Sequence, residues 1–153
     1  MATGSVSAID REEYQLIESK AASGTSVTFN AFSGYKHLWL TGKAITKSGA
    51  THIAVRPNNN STAGNYAVVR NDGESTNFLI QGSTAAACAA SFQIFDVDKT
   101  IPKKAWASYN TGVPQMAQDA FIDTVAVTSL VVYTNDGTST FTGGTFYLYG
   151  IVA

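Results

Sequence analysis

Charge is what this sequence has least of. Only 14% of its 153 residues are Asp, Glu, Lys or Arg, against about a quarter in an average soluble domain. Ten cations and eleven anions leave a net charge of −1. The densest cationic pair, Lys103-Lys104, stands alone. With no basic stripe to displace phosphate counterions, nucleic acid is excluded as a partner. Cysteine is nearly absent too. A single Cys88, inside an alanine-rich run at residues 85–90, forbids an internal disulfide and any metal site built on paired cysteines. It is expected as a small buried side chain. No apolar run approaches a membrane span. The first residues carry no apolar segment of the kind a secretory signal needs, so synthesis and folding in a cytoplasm are expected.

Catalytic patterns are equally sparse. The two histidines, His37 and His52, sit in no nucleophile or metal spacing. No Gly-x-Ser-x-Gly elbow occurs. Asp96 and Asp98 have the spacing to share one side of a strand, but a calcium site or a glycosidase pair needs further acidic partners. Asp72 and Glu74 read as solvated turn residues. The glycine pairs follow turns and open no helix, so no phosphate cradle is indicated. The reading is of a protein that is not an enzyme and takes no cofactor.

What the chain does hold is short β-patterned segments between turn residues. Hydrophobic residues make up 44% of it, enough for one domain with a core. Residues 1–13 are polar and read as an extended N-terminal arm. Strands are expected at residues 14–20, 27–29, 35–43, 51–56, 65–70, 78–82, 89–97 and 103–109, with one long or bulged strand at 122–133 and a closing strand at 144–152. In the third of these, Leu38 and Leu40 share one face, and His37 and Trp39 share the other. Residues 111–118 read as a Gly/Pro-marked excursion. About ten strands without an amphipathic helix mean an all-β sandwich or barrel. A single-domain, jelly-roll-like β-sandwich over residues 14–153 accommodates pairing of the first and last strands.

The closing stretch Gly144-Thr145-Phe146-Tyr147-Leu148-Tyr149-Gly150-Ile151-Val152 organises this reading. It is apolar or aromatic almost throughout, the mark of a strand covered on both sides. It is expected as a late, central strand, with Gly143-Gly144 allowing a tight entry and Gly150 leaving room for a ring or backbone. The aromatic residues carry the functional signal. Tyr14, Tyr35, Trp39, Tyr66, Trp106, Tyr109, Tyr133, Tyr147 and Tyr149 exceed what one small core hides. Tyr and Trp that straddle a surface serve as interface anchors or as sugar-stacking platforms.

Several segments resemble a widespread group of tailed-bacteriophage virion proteins. They are Tyr14-Gln15-Leu16-Ile17-Glu18-Ser19-Lys20, Ser26-Val27-Thr28-Phe29 and Tyr35-Lys36-His37-Leu38-Trp39-Leu40. Val55-Arg56-Pro57-Asn58, Gly64-Asn65-Tyr66, Phe92-Gln93-Ile94-Phe95-Asp96 and Lys103-Lys104 continue the resemblance. Residues 122–128 and the closing Leu148-Tyr149-Gly150-Ile151 complete it, over nearly all of residues 14–152. Pro57 departs from the pattern, where an aromatic or aliphatic residue is common, and is expected to end its strand early. The resemblance implies a virion structural protein and no catalytic residues. The leading expectation is a capsid decoration, or cement, protein on the head exterior. It would form a homotrimer, bind the major capsid protein, and use Ile9, Arg11, Tyr14, Trp39, Trp106, Tyr109, Tyr147 and Tyr149 at interfaces. The alternative is a tail-associated or fibre module contacting tail proteins or a host-surface glycan through residues 58–64 and 111–118 with Tyr66, Trp106 or Tyr109.

Overall fold

The closing strand lies inside the larger of two sheets. In the computed structural model, which describes residues 13–30, 32–68, 76–82, 84–110 and 114–153, with only the backbone at 68, 109–110 and 114–117, the strands in chain order are β1 (Gln15–Ala21), β2 (Ser26–Phe29), β3 (Tyr35–Lys47), β4 (Ile53–Pro57), β5 (Tyr66–Val68), β6 (Phe78–Gln81), β7 (Cys88–Phe95), β8 (Lys103–Asn110), β9 (Pro114–Phe121), β10 (Leu130–Thr134) and β11 (Phe141–Val152). The chain folds as a single all-β domain of two antiparallel sheets. One runs β1-β11-β3-β7-β8-β9-β5 and the other β2-β10-β4-β6. Seven and four strands stand here in place of the eight of a plain jelly roll.

The core lies between the sheets and follows from strict alternation along each strand. In the large sheet the inward rows run Leu148, Leu40, Phe92, Ala107 and Gly150, Leu38, Ile94, Ala105. The small sheet answers with Val27, Val132, Val55 and Phe78 in one row, beside Phe29 and Leu130 in the next. Phe29, Phe78, Phe92, Phe121 and Phe146 are fully buried. Burying each such ring stabilises the fold by about 1.5–3 kcal/mol. Tyr66 belongs to this core: its ring lies 5.0 Å from Phe78 and 5.3 Å from Phe121. Its hydroxyl donates to the Asn60 carbonyl, and burial pushes its ionisation well above the ordinary tyrosine range. Tyr66, expected as a candidate glycan contact, is therefore a core residue and not an exposed binding aromatic.

Two expectations fail for identifiable reasons. Residues 114–121 form β9, a full partner of β8, because Pro114 stands at the first strand position, where its missing N–H costs no ladder bond. Residues 122–129 are not strand. Several of their backbone groups are taken by side chains, and others by single backbone bonds to Asn65, Val97 and Asn58. The buried Lys103 amine donates to the carbonyls of Asp123 at 3.0 Å and Val125 at 2.6 Å. Asn58 donates to the Ala126 carbonyl and accepts from the Thr128 and Ser129 amides. Burial depresses the Lys103 amine below the usual lysine value. A second buried lysine, Lys47, clips the Thr51 and Gly82 carbonyls in the same way. β4 does end at Pro57, and Asn58 and Asn59 continue at φ +52. Cys88 is half-buried at the start of β7, its thiol donating to the Ile45 carbonyl at 3.4 Å. Residues 1–12, including the proposed arm with Ile9 and Arg11, and residues 72–74 lie outside the described part.

Entry into β11 is shaped by Asp136 and Gly144. The Asp136 carboxylate accepts from the Thr138 amide and from the amide and hydroxyl of Ser139, at 3.1, 2.9 and 2.6 Å. These donors pull its pKa from 3.8 down to about 2. Gly144 has φ +96, and a Cβ there would meet the Ala44 carbonyl oxygen at 2.5 Å. Gly64, at φ +88, faces open space. Gly144→Ala is expected to lower the unfolding free energy by about 3 kcal/mol or more, and Gly64→Ala by about 1 kcal/mol; equal losses in denaturant titration would refute the close-approach argument. An acid lowered on folding contributes stability that is complete above its unfolded pKa and fades as pH falls through the folded one. Asp136→Asn should therefore remove a stability loss between pH 3.8 and about 2, read as a flatter acid limb of the Tm–pH curve.

Candidate functional site

The outer face of the seven-stranded sheet carries most of the described aromatic residues that the core does not use; Tyr133 lies instead on the four-stranded sheet, with the Arg56 guanidinium over its ring at 4.4 Å. One row of directly opposed residues crosses six strands: Leu16, Tyr149, Trp39, Gln93, Trp106 and Gln118. The next row holds Ser19, Tyr147, Thr41 and Ser91. On the other side His37 stands opposite Phe95. The inward neighbours Leu38, Leu40, Phe92, Ile94, Ala105 and Ala107 are all buried, so a period of two sends these side chains outward.

Ring contacts tie the face into two groups. At the β1 end, the Tyr14 ring meets Trp39 edge-on at 5.6 Å, and Trp39 lies 5.7 Å from Tyr149 at a 36° tilt. Leu16 beside them is 55% exposed. The Trp39 indole N–H donates to the Ser91 hydroxyl at 3.1 Å. Ser91 is itself held by Ser108, whose hydroxyl accepts from the Ser91 amide and donates to its carbonyl. Partial burial raises the Tyr14 phenol above its ordinary pKa. At the other end, Trp106 is 40% exposed and packs edge-on against Phe95 at 5.5 Å. Phe95 in turn packs against His37 at 5.3 Å. The His37 Nδ1 accepts the Asp96 amide at 3.2 Å.

Of the residues marked in the sequence, Tyr14, Trp39, Tyr147 and Tyr149 come together, and Trp106 stands on their row two strands beyond Trp39. Tyr109 lies on β8 opposite Gln115; its side chain falls outside the described part, as do Ile9 and Arg11. Leu16, Gln93, Phe95 and Gln118 were not singled out. Their signal was the register: once the strands are paired, Leu16 stands opposite Tyr149, Gln93 opposite Trp39 and Trp106, Gln118 opposite Trp106, and Phe95 diagonal to Trp106. Asp98 forms an ion pair with Lys99 at 2.5 Å. Among the described residues no three His, Cys, Asp or Glu side chains gather to hold a metal.

The face is thus a fixed, mostly uncharged aromatic surface, suited to binding. Its chemistry is stacking and hydrogen bonding from indole, phenol, amide and hydroxyl groups. The Trp39–Ser91 bond is expected to be worth about 1 kcal/mol, measured as the coupling in a double-mutant cycle of Trp39→Phe and Ser91→Ala; zero coupling would remove Ser91 as the group that orients the indole. Against known proteins, the chain matches no family model and no curated protein.

Proposed function

We propose that this chain is a bacteriophage virion structural protein that works by binding, as a decoration protein on the capsid exterior. The observation that carries the binding reading is the contiguous aromatic surface at the β1 end of the large sheet. Leu16, Tyr149, Trp39 and Tyr14 adjoin one another, with Tyr147 in the next row. Such a group is wide enough to serve as an anchor cluster for another protein surface, where Tyr and Trp concentrate binding energy. The assignment to a virion rests on the sequence resemblance over residues 14–152. The capsid protein is the partner in this reading, and assembly as a homotrimer is part of it.

A low density of charge suits such docking. Few ions must be desolvated when the face is covered, and the hydroxyl and amide groups around the aromatics satisfy a wet rim. Catalysis has no role in the proposal. His37 uses one ring nitrogen to hold the Asp96 amide.

The test is particle occupancy. Purified particles lacking the protein are mixed with the wild-type chain or with Tyr149→Glu, and imaged. Wild-type protein should give regular density over the head. Tyr149→Glu should fold, because Tyr149 points away from the core, and should bind at least about tenfold more weakly, since it buries an unpaired charge in the contact. Density confined to the tail would replace the decoration role with the tail-associated one. Full occupancy by Tyr149→Glu would remove this face from the contact. Sedimentation of the free protein should give a trimer, and a monomer would refute that part.

A further inference from the structure

The two ends of the aromatic row differ in a way that calls for two kinds of ligand. Around Tyr149 and Trp39 the apolar surface is continuous over several side chains. Around Trp106 the described side chains add to the indole only Phe95 and the small Ala120 as apolar surface. Gln93 and Gln118 stand directly opposite Trp106 on its two neighbouring strands, each about 5 Å away. Lys104 and Ser108 flank it two positions along its own strand. Among the described side chains, its apolar outward neighbours are the small Ala120, two positions beyond Gln118, and the half-buried Phe95, which braces the indole edge-on at 5.5 Å and 69°. The ring is therefore held in place and left open, within a border of amide, hydroxyl and ammonium groups.

From this we infer that Trp106, Gln93 and Gln118 form a carbohydrate subsite for a single hexopyranose unit of glucose or galactose configuration. A pyranose in these configurations has an apolar C–H face and a rim of hydroxyls. The C–H face stacks on the indole, as an apolar surface does on an aromatic face. The hydroxyl rim meets two amides, each offering both a donor and an acceptor. A protein surface would need a wider apolar contact than one ring supplies. Among the described residues, the rows through Trp106 and its neighbours carry no carboxylate, and Lys104 is the only cation beside it. The three side chains assigned to the sugar, Trp106, Gln93 and Gln118, are uncharged, which suits an uncharged ligand.

Trp39 lies on the same row, separated from Trp106 by Gln93, so about 10 Å, or two strand spacings, divides the indoles. Tyr14 covers part of Trp39, which leaves Trp106 as the open platform. One platform with two amide contacts predicts weak binding by the free protein, in the millimolar range. Many copies on one particle would convert such weak contacts into firm attachment. That last step rests on the decoration reading; the subsite itself does not.

The experiment is a titration of the free, full-length protein with cellotetraose and with a β-linked galactotetraose, followed by the indole N–H resonances. Ribitol, which has the hydroxyls but no ring face, is the control. At least one oligosaccharide should shift the Trp106 indole resonance with saturable, millimolar affinity, and ribitol should not. Trp106→Ala should weaken binding about tenfold or more, and Gln93→Ala and Gln118→Ala several-fold each, with unchanged backbone spectra showing that the variants fold. Trp106→Tyr, which keeps a smaller stacking ring, should recover part of the loss. No shift with either sugar, an equal shift with ribitol, or undiminished binding by folded Trp106→Ala would overturn the inference. Because no particle takes part, failure here leaves the docking reading standing, and failure of docking leaves the subsite standing.

Discussion

The interaction on which the rest depends is the double pairing of β11. This strand joins β1 to β3 through ladders on both edges, so the first, third and last strands become one continuous surface. Its inward residues Phe146 and Leu148 are fully buried, and its outward residues Tyr147 and Tyr149 enter the aromatic face. Glycine makes this crowding possible at two points. A Cβ at Gly144 would collide with a backbone carbonyl, and one at Gly150 would lie 2.5 Å from the Tyr35 ring. The strand thus supplies core and surface at once, and a slip of one residue would exchange them.

A chain with few charges spends several of them inside. Lys103 and Lys47 are almost fully buried, and each donates to two loop carbonyls. Asn58 holds three backbone groups of residues 126–129. These side chains replace ladder bonds where the chain leaves a sheet. The loops beside the strands are therefore fastened to the core, which lets a sandwich with long connections keep a rigid frame. Rigidity matters for a surface that binds through ring stacking, since an indole ordered before contact loses less entropy on binding.

The asymmetry of the sheets creates the site. The four-stranded sheet covers the inner face of the larger one, and the outer face keeps its Tyr and Trp residues. Along the shared row, neighbours decide what each aromatic offers. Trp39, enclosed by Tyr14, Tyr149 and Ser91, is an element of a broad patch. Trp106 stands between the amides of Gln93 and Gln118 and is braced by Phe95. The same residue type, on the same face, thus has two chemistries set by register.

Much of this was legible before folding. Alternation and turn residues marked most strands, the uninterrupted apolar run marked β11 as interior, and Gly150 marked a close ring. His37 and Trp39 were already opposite Leu38 and Leu40, because a period of two is a local property. Long-range partners were not local. Nothing in residues 122–129, rich in Val, Thr and Ile, announces that Lys103 and Asn58 will capture their backbone, so propensity alone read them as strand. Tyr66, at the start of an expected strand, was also a candidate glycan contact until Phe78 and Phe121 closed around it. Gln93 and Gln118 are ordinary polar residues until pairing sets them on either side of Trp106. Where a strand alternates, as β3 does at Leu38 and Leu40, the sequence by itself determined which side faces inward, since that follows from neighbours one and two residues away. Only the tertiary structure decided which side chains share a row, because register between strands far apart in the chain is set by packing across the whole sheet.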